Sequence, residues 1–446
     1  MSASVRVESR VTYAEAKLAE AYKLFALANE AVEAGNLQLA IQHWRHAYRL
    51  APDDPTMIYC RGVEALSSWR FPEAVRYLTR TCNSKQYKDN AQAHYHLGCA
   101  ARGAGDFRQS AQSFRRTLTL DPYHVGAMIG RGFAFQLHGD QERAEALFAK
   151  ALALPGRSPS DRNEQATCGA WWGDYSRWSL FENRWRTGLR PQSPALEAIL
   201  NERRWNGAPF RGTLMLWAEQ GMGDTLLMAR YLPLAQERCT HLVVLVQASM
   251  VTLFQHAGYD AQPITGVLPA FGAHSPMMSL PWLMGTDSVA KIPPPADFKI
   301  PLTTRTGHAG LCWAGGPVAN LDRNSPTRAF APLLTMPGVV WHNMQFGARE
   351  DEYPELGPPS RGDWLETARE VATLDVVVTV DTALSHLAGS LGVTTFLFSA
   401  VHYVWYWTRG HMGSPWYPKT HRLFRRASTK DWPAAVASAR ARLEAR

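Results

Sequence analysis

Two short stretches carry residue types that can do chemistry. In "LWAEQGMGDTLLMARYLP", Leu216 to Pro233, Gln220 and Gly221 lead into Met222, Gly223 and Asp224 where a strand-like run gives way to a helical one. A helix N-terminus favours negative charge, so Asp224 reads either as a helix cap or as a carboxylate base. In "VDTALSHLAGSLG", Val380 to Gly392, a run of valines ends at Asp381, and Thr382 and Ala383 open a helix. Unpaired backbone N–H groups and the dipole at that point suit a diphosphate. Thr382 adds a hydroxyl and His386, one turn on, a ring N–H. The plainer reading of Asp381 and Thr382 is an N-cap.

Both stretches need strands and helices to place them, and from Gly212 the chain alternates between the two. "TLMLWAE" and "HLVVLVQ" read as buried strands, with helices over Asp224 to Glu237 and in "SMVTLFQHAG". A proline-rich pause, Val267 to Pro301, precedes "AGLCWAGG", "RAFAPLLTMP", "GVVWHNMQ", "DWLETAREVATL" and the second motif. A helix closes the chain from Lys430. Apolar β-branched runs alternating with amphipathic helices predict parallel sheets covered on both faces, with ligands beyond the carboxyl ends of the strands. Gln345, ending "VVWHNMQ", is placed to meet a nucleotide base or ribose.

The first third is built differently. Small and large residues recur at a period of about 34. Ala28, Ala31, Ala40, Trp44, Ala47 and Pro52 form one set, and Gly62, Ala65, Ala74, Leu78 and Thr81 a second. Gly98, Ala101, Ser110, Phe114, Thr117 and Pro122 form a third, and Gly132, Phe135, Ala144, Phe148 and Ala151 a fourth. Small residues let two helices of a hairpin approach, a larger one fills the gap, and proline ends the second helix. These sets resemble the tetratricopeptide repeat (TPR), a likeness that implies a groove for a protein or peptide. "DRNEQATCGAWWGDYSRWSLFENRWRTG", Asp161 to Gly188, reads as a closing helix whose tryptophans dock the array onto the next domain.

Composition narrows the function classes. Of 446 residues, 46% are apolar and 19% charged, enough for buried cores, and the length suggests about three domains. A net charge of +8 favours anionic ligands such as nucleotide diphosphates, or acidic protein surfaces. No Lys/Arg block interleaved with aromatics points to nucleic acid. Six cysteines, none in a C-x-x-C pair, predict neither a metal site nor a disulfide framework, hence reduced thiols and a cytoplasmic setting. Neither a secretion signal nor an apolar run long enough to span a bilayer is visible.

"GMGD" and "DTALSHLAGSLG" together resemble the lipopolysaccharide-core heptosyltransferases, which use an ADP-heptose donor. The whole chain, with "CWAGG" and "SPWYP", is similar to bacterial TPR-containing glycosyltransferases of that lineage. The resemblance implies an α+α/β chain: a TPR α-solenoid (12–157), a Trp-rich capping helix and linker (158–211), then a GT-B type pair of Rossmann-like lobes. Residues 212–302 would form the acceptor lobe and 303–446 the nucleotide-sugar donor lobe.

The same resemblance implies metal-independent, inverting transfer of a hexosyl or heptosyl group, with no cofactor beyond the nucleotide-sugar substrate. Asp224 would be the general base, with Gln220, Gly221 and Gly223 on the acceptor side of its loop. Asp381, Thr382, Ala383 and His386 would face the donor phosphates. Relatives of this type carry an Arg-Ser pair where this chain reads "NLDRNSPTRAF", so Arg323 and Arg328 are the available cations, and the lysine heptosyltransferases place beside the donor has no counterpart. The expected acceptor is a protein held by the array, for example flagellin or another surface protein. A lipid-linked or polysaccharide acceptor, or an inactive scaffold, are the alternatives, and a homodimer stays open. "SPWYP" either borders the cleft or holds the terminal helix.

Overall fold

Glycines in one helix and bulky residues in the next, sixteen positions on, build the helical array. In a computed structural model of the protein, a Cβ added at Gly62 would lie 2.7 Å from Leu78 Cγ. At Gly98 and Gly132 it would lie 2.7 and 2.5 Å from the rings of Phe114 and Phe148. Only glycine admits these side chains, and Leu78, Phe114 and Phe148 are fully buried as a result. The helices of the array are α1 (Ala3–Glu33), α2 (Leu37–Leu50), α3 (Pro55–Ser67), α4 (Phe71–Cys82), α5 (Ala91–Gly103), α6 (Phe107–Leu120), α7 (Val125–Leu137) and α8 (Gln141–Ala153), and the glycine pairing joins α3 to α4, α5 to α6 and α7 to α8. Asn36, Asp54, Asn90, Asp106 and Asp140 cap them with side-chain oxygens. The chain therefore carries TPR-like repeats. The structure describes residues 3–33, 36–187, 191, 193–316, 323–347, 349–359, 362–400, 404–408, 413–426 and 431–445, without the side chains of 3–12, 33, 37 and 350.

Two compact units result, one formed by residues 1–136, 140–165 and 183–189, the other by 137–139, 166–182 and 190–446. Helix α9 (Pro159–Trp171) runs from the first into the second. Of the tryptophan-rich stretch, 166–182 therefore belongs to the second unit. There the Trp178 indole donates to Met278 O at 2.8 Å. The stretch after Trp171 continues as a 3₁₀ segment, Trp178–Arg186.

The second unit holds two parallel sheets, as the alternating pattern predicts. After α10 (Pro194–Ala198) come β1 (Phe210–Trp217), α11 (Met222–Met228), α12 (Leu232–Gln236), β2 (Cys239–Val246), α13 (Val251–His256), β3 (Asp260–Pro263), β4 (Ala273–Pro276) and α14 (Leu280–Leu283). Their strand order is β3-β2-β1-β4. The long helix expected over Asp224 to Glu237 is divided into α11, a 3₁₀ turn and α12, with Pro233 in the first turn of α12. Strand β4 lies inside the proline-rich stretch read as a pause.

The second sheet follows from β5 (Arg305–Cys312), α15 (Ala331–Leu334), β6 (Val340–Asn343), α16 (Trp364–Val371), β7 (Leu374–Val380), α17 (Ala383–Leu391), β8 (Thr394–Ser399), β9 (His421–Arg425) and α18 (Trp432–Glu444). Its order is β6-β5-β7-β8-β9. In both sheets the chain reverses direction of winding beside the first strand, at β1/β4 and at β5/β7. Such switch points leave a crevice at the carboxyl ends of the strands. Asp224 follows β1 and Asp381 follows β7, so each motif sits at its sheet's switch point.

Candidate active site

The turn after β1 is tied down by its own backbone. Gln247 Nε2 donates to Gln220 O at 3.1 Å, and the Thr225 hydroxyl donates to Gln247 Oε1 at 3.0 Å. Gly221 is the N-cap of α11 in ordinary extended conformation, φ −72° and ψ 167°. Its N–H donates to Asp224 Oδ2 at 3.1 Å, the acid reaching back over a residue that has no side chain in its way. Half-burial pushes the Asp224 carboxyl up to about 7; the neighbouring charges of Asp381 and Glu219 add to this, and the Gly221 N–H opposes it. The carboxyl is thereby the N3 member of a capping box at the start of α11. Buried Glu219 is held by the Met278 N–H at 3.0 Å.

Gly223 faces the other sheet. A Cβ there would lie 3.0 Å from His386 Cδ2 and 3.4 Å from Ala383 Cα. Helix α11 thus packs on α17 with nothing between them but the two motifs. Further links join the lobes: Trp364 Nε1 donates to Met222 Sδ at 3.1 Å, and Thr252 Oγ1 to Asp363 Oδ2 at 2.5 Å.

On the α17 side, Asp381 is 2% exposed and its Oδ1 accepts from the Tyr406 hydroxyl at 3.5 Å. Burial and the charges of Asp381 and Asp224 keep that phenol protonated, its pKa raised well above the ordinary tyrosine value. Thr382 is the N-cap of α17 in extended conformation, but its hydroxyl bonds Thr379 Oγ1 at 3.1 Å instead of capping the helix. His386, 1% exposed, is boxed by the rings of Tyr406, Trp407 and Tyr417. Burial, together with His421 and Arg230, holds its pKa well below the histidine range. His386 is therefore a neutral imidazole whose Nδ1 faces the Tyr417 hydroxyl at 3.2 Å. The other ring nitrogen, Nε2, lies on the Gly223 side, 3.6 Å from where a Cβ there would sit.

The candidate cations separate. The guanidinium of Arg323 lies against Gly315, whose added Cβ would come within 2.9 Å of Nη2, and its charge reaches Tyr406 and the Cys312 thiol. Arg328, in left-handed conformation at φ 54°, is committed to Glu355 at 2.5 Å and stacks over Tyr353. Asp322, beside Arg323 in the "DR" pair, lies outside the described residues. Gln345, read from the sequence as a contact to a base or ribose, is turned into the protein. It is 1% exposed, its Oε1 accepts from the N–H groups of Trp313 and Ala314, and its Nε2 donates to Ala314 O. The carboxamide splices the ends of β5 and β6, where the backbone would otherwise be unpaired.

Glu219, Arg230, Tyr406 and Tyr417 belong to this junction; Glu219 and Arg230 lie within Leu216–Pro233 and Tyr417 within "SPWYP", but the sequence analysis gives none of them a role, and Tyr406 lies in no quoted motif. The one local signal is Arg230, a lone cation in the apolar run "LLMARYL". In "SPWYP", the Trp416 indole donates to Tyr175 Oη at 2.8 Å, and that oxygen lies 3.2 Å from Thr408 Oγ1. Among the described residues no group of three or more His, Cys, Asp or Glu could hold a metal ion, and no helix is long and apolar enough to cross a membrane.

No family model matches the chain. It is similar to Protein FlbA of Caulobacter vibrioides, 27% identical over 444 residues that cover 85% of this chain and 71% of FlbA. Tetratricopeptide repeat protein 8 of Caenorhabditis elegans is 24% identical over 146 residues, 33% of this chain and 28% of that protein. Among solved structures, MamA from Desulfovibrio magneticus RS-1 overlaps 29% of this chain and 72% of its own at 21% identity, TM-score 0.26. TTC0263, a thermophilic TPR protein of Thermus thermophilus, overlaps 38% of this chain and 90% of its own at 19% identity, TM-score 0.29.

Proposed function

We propose that the protein is a GT-B type glycosyltransferase that moves a sugar from a nucleotide-diphosphate donor to a protein acceptor recruited by the repeat array. The observation that carries this reading is the meeting of the two switch-point turns, Gly223 against His386 and Asp224 beside Asp381. Inverting transfer needs a base within reach of the acceptor hydroxyl, and Asp224 titrates near neutrality. It also needs donors aimed at the departing diphosphate. The N–H groups that open α17, the Nε2 of His386 and Arg323 are the groups available for that. Asp381, 2% exposed, adds negative charge beside them. No metal is required by this scheme.

A second reading, an adaptor whose lobes do not turn over, is favoured by the commitment of Asp381, His386 and Gln345 to buried neighbours. Incubating the full chain with uridine, guanosine, adenosine and cytidine diphosphates separates the two. A true donor nucleotide at about 100 times its dissociation constant stabilises the fold by about 2.7 kcal/mol. Intact-mass detection of sugar on a protein acceptor, lost in Asp224→Asn, completes the test. Absence of both stabilisation and transfer leaves the adaptor.

A further inference from the structure

Arg230 is the only charged residue in the run from Leu226 to Leu232, and it is as buried as its apolar neighbours, 3% exposed. It lies in the 3₁₀ turn Ala229–Tyr231. Nε donates to Leu227 O at 2.9 Å, and Nη1 to Pro293 O at 3.2 Å and Trp416 O at 2.9 Å. The guanidinium lies 4.9 Å from each of the Trp416 and Tyr417 ring centroids. Both rings belong to the lobe of the second sheet. Tyr417 in turn faces His386, and His386 packs on Gly223. The contacts form a closed ring that leaves the first lobe at Gly223 and returns to it at Arg230.

A buried cation is costly to fold, and among the described residues no carboxylate pairs with this one. An apolar residue in its place would leave the carbonyls of Pro293 and Trp416 without this donor. What the arginine provides and methionine cannot is a planar fork with fixed donor directions, stacked on aromatic faces. We propose that Arg230 is a positioning residue that clasps the two lobes so that Asp224 and His386 stay on facing walls of one crevice. This rests on the transferase reading. The same charge, next to His386, helps keep that imidazole neutral.

Arg230→Met and Arg230→Lys in the full chain test it, by thermal unfolding, by hydrogen exchange in residues 221–231 and 383–391, and by transfer kinetics. Arg230→Met is expected to melt a few degrees lower, because the Pro293 and Trp416 carbonyls lose this donor, and to exchange in both segments about tenfold faster, the change being confined to them. Its kcat should fall about tenfold or more, with the donor KM within about threefold of wild type, as misplacement of a base does. Arg230→Lys, which keeps charge and stacking but not the fork, should lie between. Wild-type exchange and wild-type kcat in Arg230→Met would overturn the clasp. If Arg230→Met does not fold, Arg230→Lys decides by the same exchange comparison. If wild type itself transfers no sugar, the transferase reading fails, while exchange still decides whether Arg230 holds the lobes.

Discussion

Gly223 and His386 touch across the lobe boundary so closely that one methyl group on the glycine would lie 3.0 Å from the imidazole Cδ2. The imidazole has no room to retreat, being stacked on Trp407 and flanked by Tyr406 and Tyr417. Gly223→Ala should therefore destabilise the second unit by about 1–3 kcal/mol, as overpacking of a rigid site does. It should also lower transfer at least as much as the stability loss would suggest, since the strain falls on both motifs. Thermal unfolding and initial rates measure the two effects, and an unperturbed variant would mean that the lobes are not in contact there.

The raised Asp224 pKa carries a definite sign. The folded protein holds this proton more tightly than the unfolded chain, so the carboxyl is no burden at low pH. Its penalty grows as pH rises above about 4 and is complete above about 7. Asp224→Asn should match wild type in stability near pH 4 and exceed it near pH 8, by at most about 4 kcal/mol. Urea titrations of both proteins at the two pH values give the difference directly. Transfer by wild type should rise with pH to a plateau above about 7, and the asparagine variant should lose about a hundredfold or more.

In the array, Gly132→Ala would drive a methyl to within 2.5 Å of the Phe148 ring, a fully buried group. The expected loss is about 1–3 kcal/mol, confined to the first unit. Calorimetry should show a lowered array transition and an unchanged transition of the second unit.

Gln345→Leu distinguishes a splice from a ligand contact. Leucine leaves the N–H groups of Trp313 and Ala314 without their acceptor, a loss of about 2–4 kcal/mol for buried donors. A lowered melting temperature, with nucleotide preference unaltered among the molecules still folded, is the expected result. Weakened nucleotide binding at full stability would restore the donor contact read from the sequence.

Local pattern made much of this architecture legible. The recurrence of Gly62, Gly98 and Gly132 ahead of Leu78, Phe114 and Phe148 specifies helix hairpins, because the packing of a bulky side chain on glycine repeats with the chain. The apolar runs ahead of Asp224 and Asp381 specify parallel strands ending in turns. Those features depend on neighbours within one hairpin or one strand-turn-helix unit, which a linear pattern records.

Strand β4 shows where that stops. Its sequence, "AHSP", has no strand-like apolar run, yet all four residues are buried. His274 belongs there because the Trp217 indole donates to its Nδ1 at 3.1 Å and its Nε2 donates to Ile199 O at 3.0 Å, partners 57 and 75 residues away. Gln345, Arg328 and Arg230 follow the same rule. Each is polar, each is open to a ligand or a structural use, and long-range partners decide which. The chain by itself determined the repeats, the strand ends and the acids at the turns, since these rest on short-range sterics and periodicity. Only the tertiary structure decided that the two turns face one another and which polar groups are already taken, because those facts depend on contacts between residues far apart in the chain.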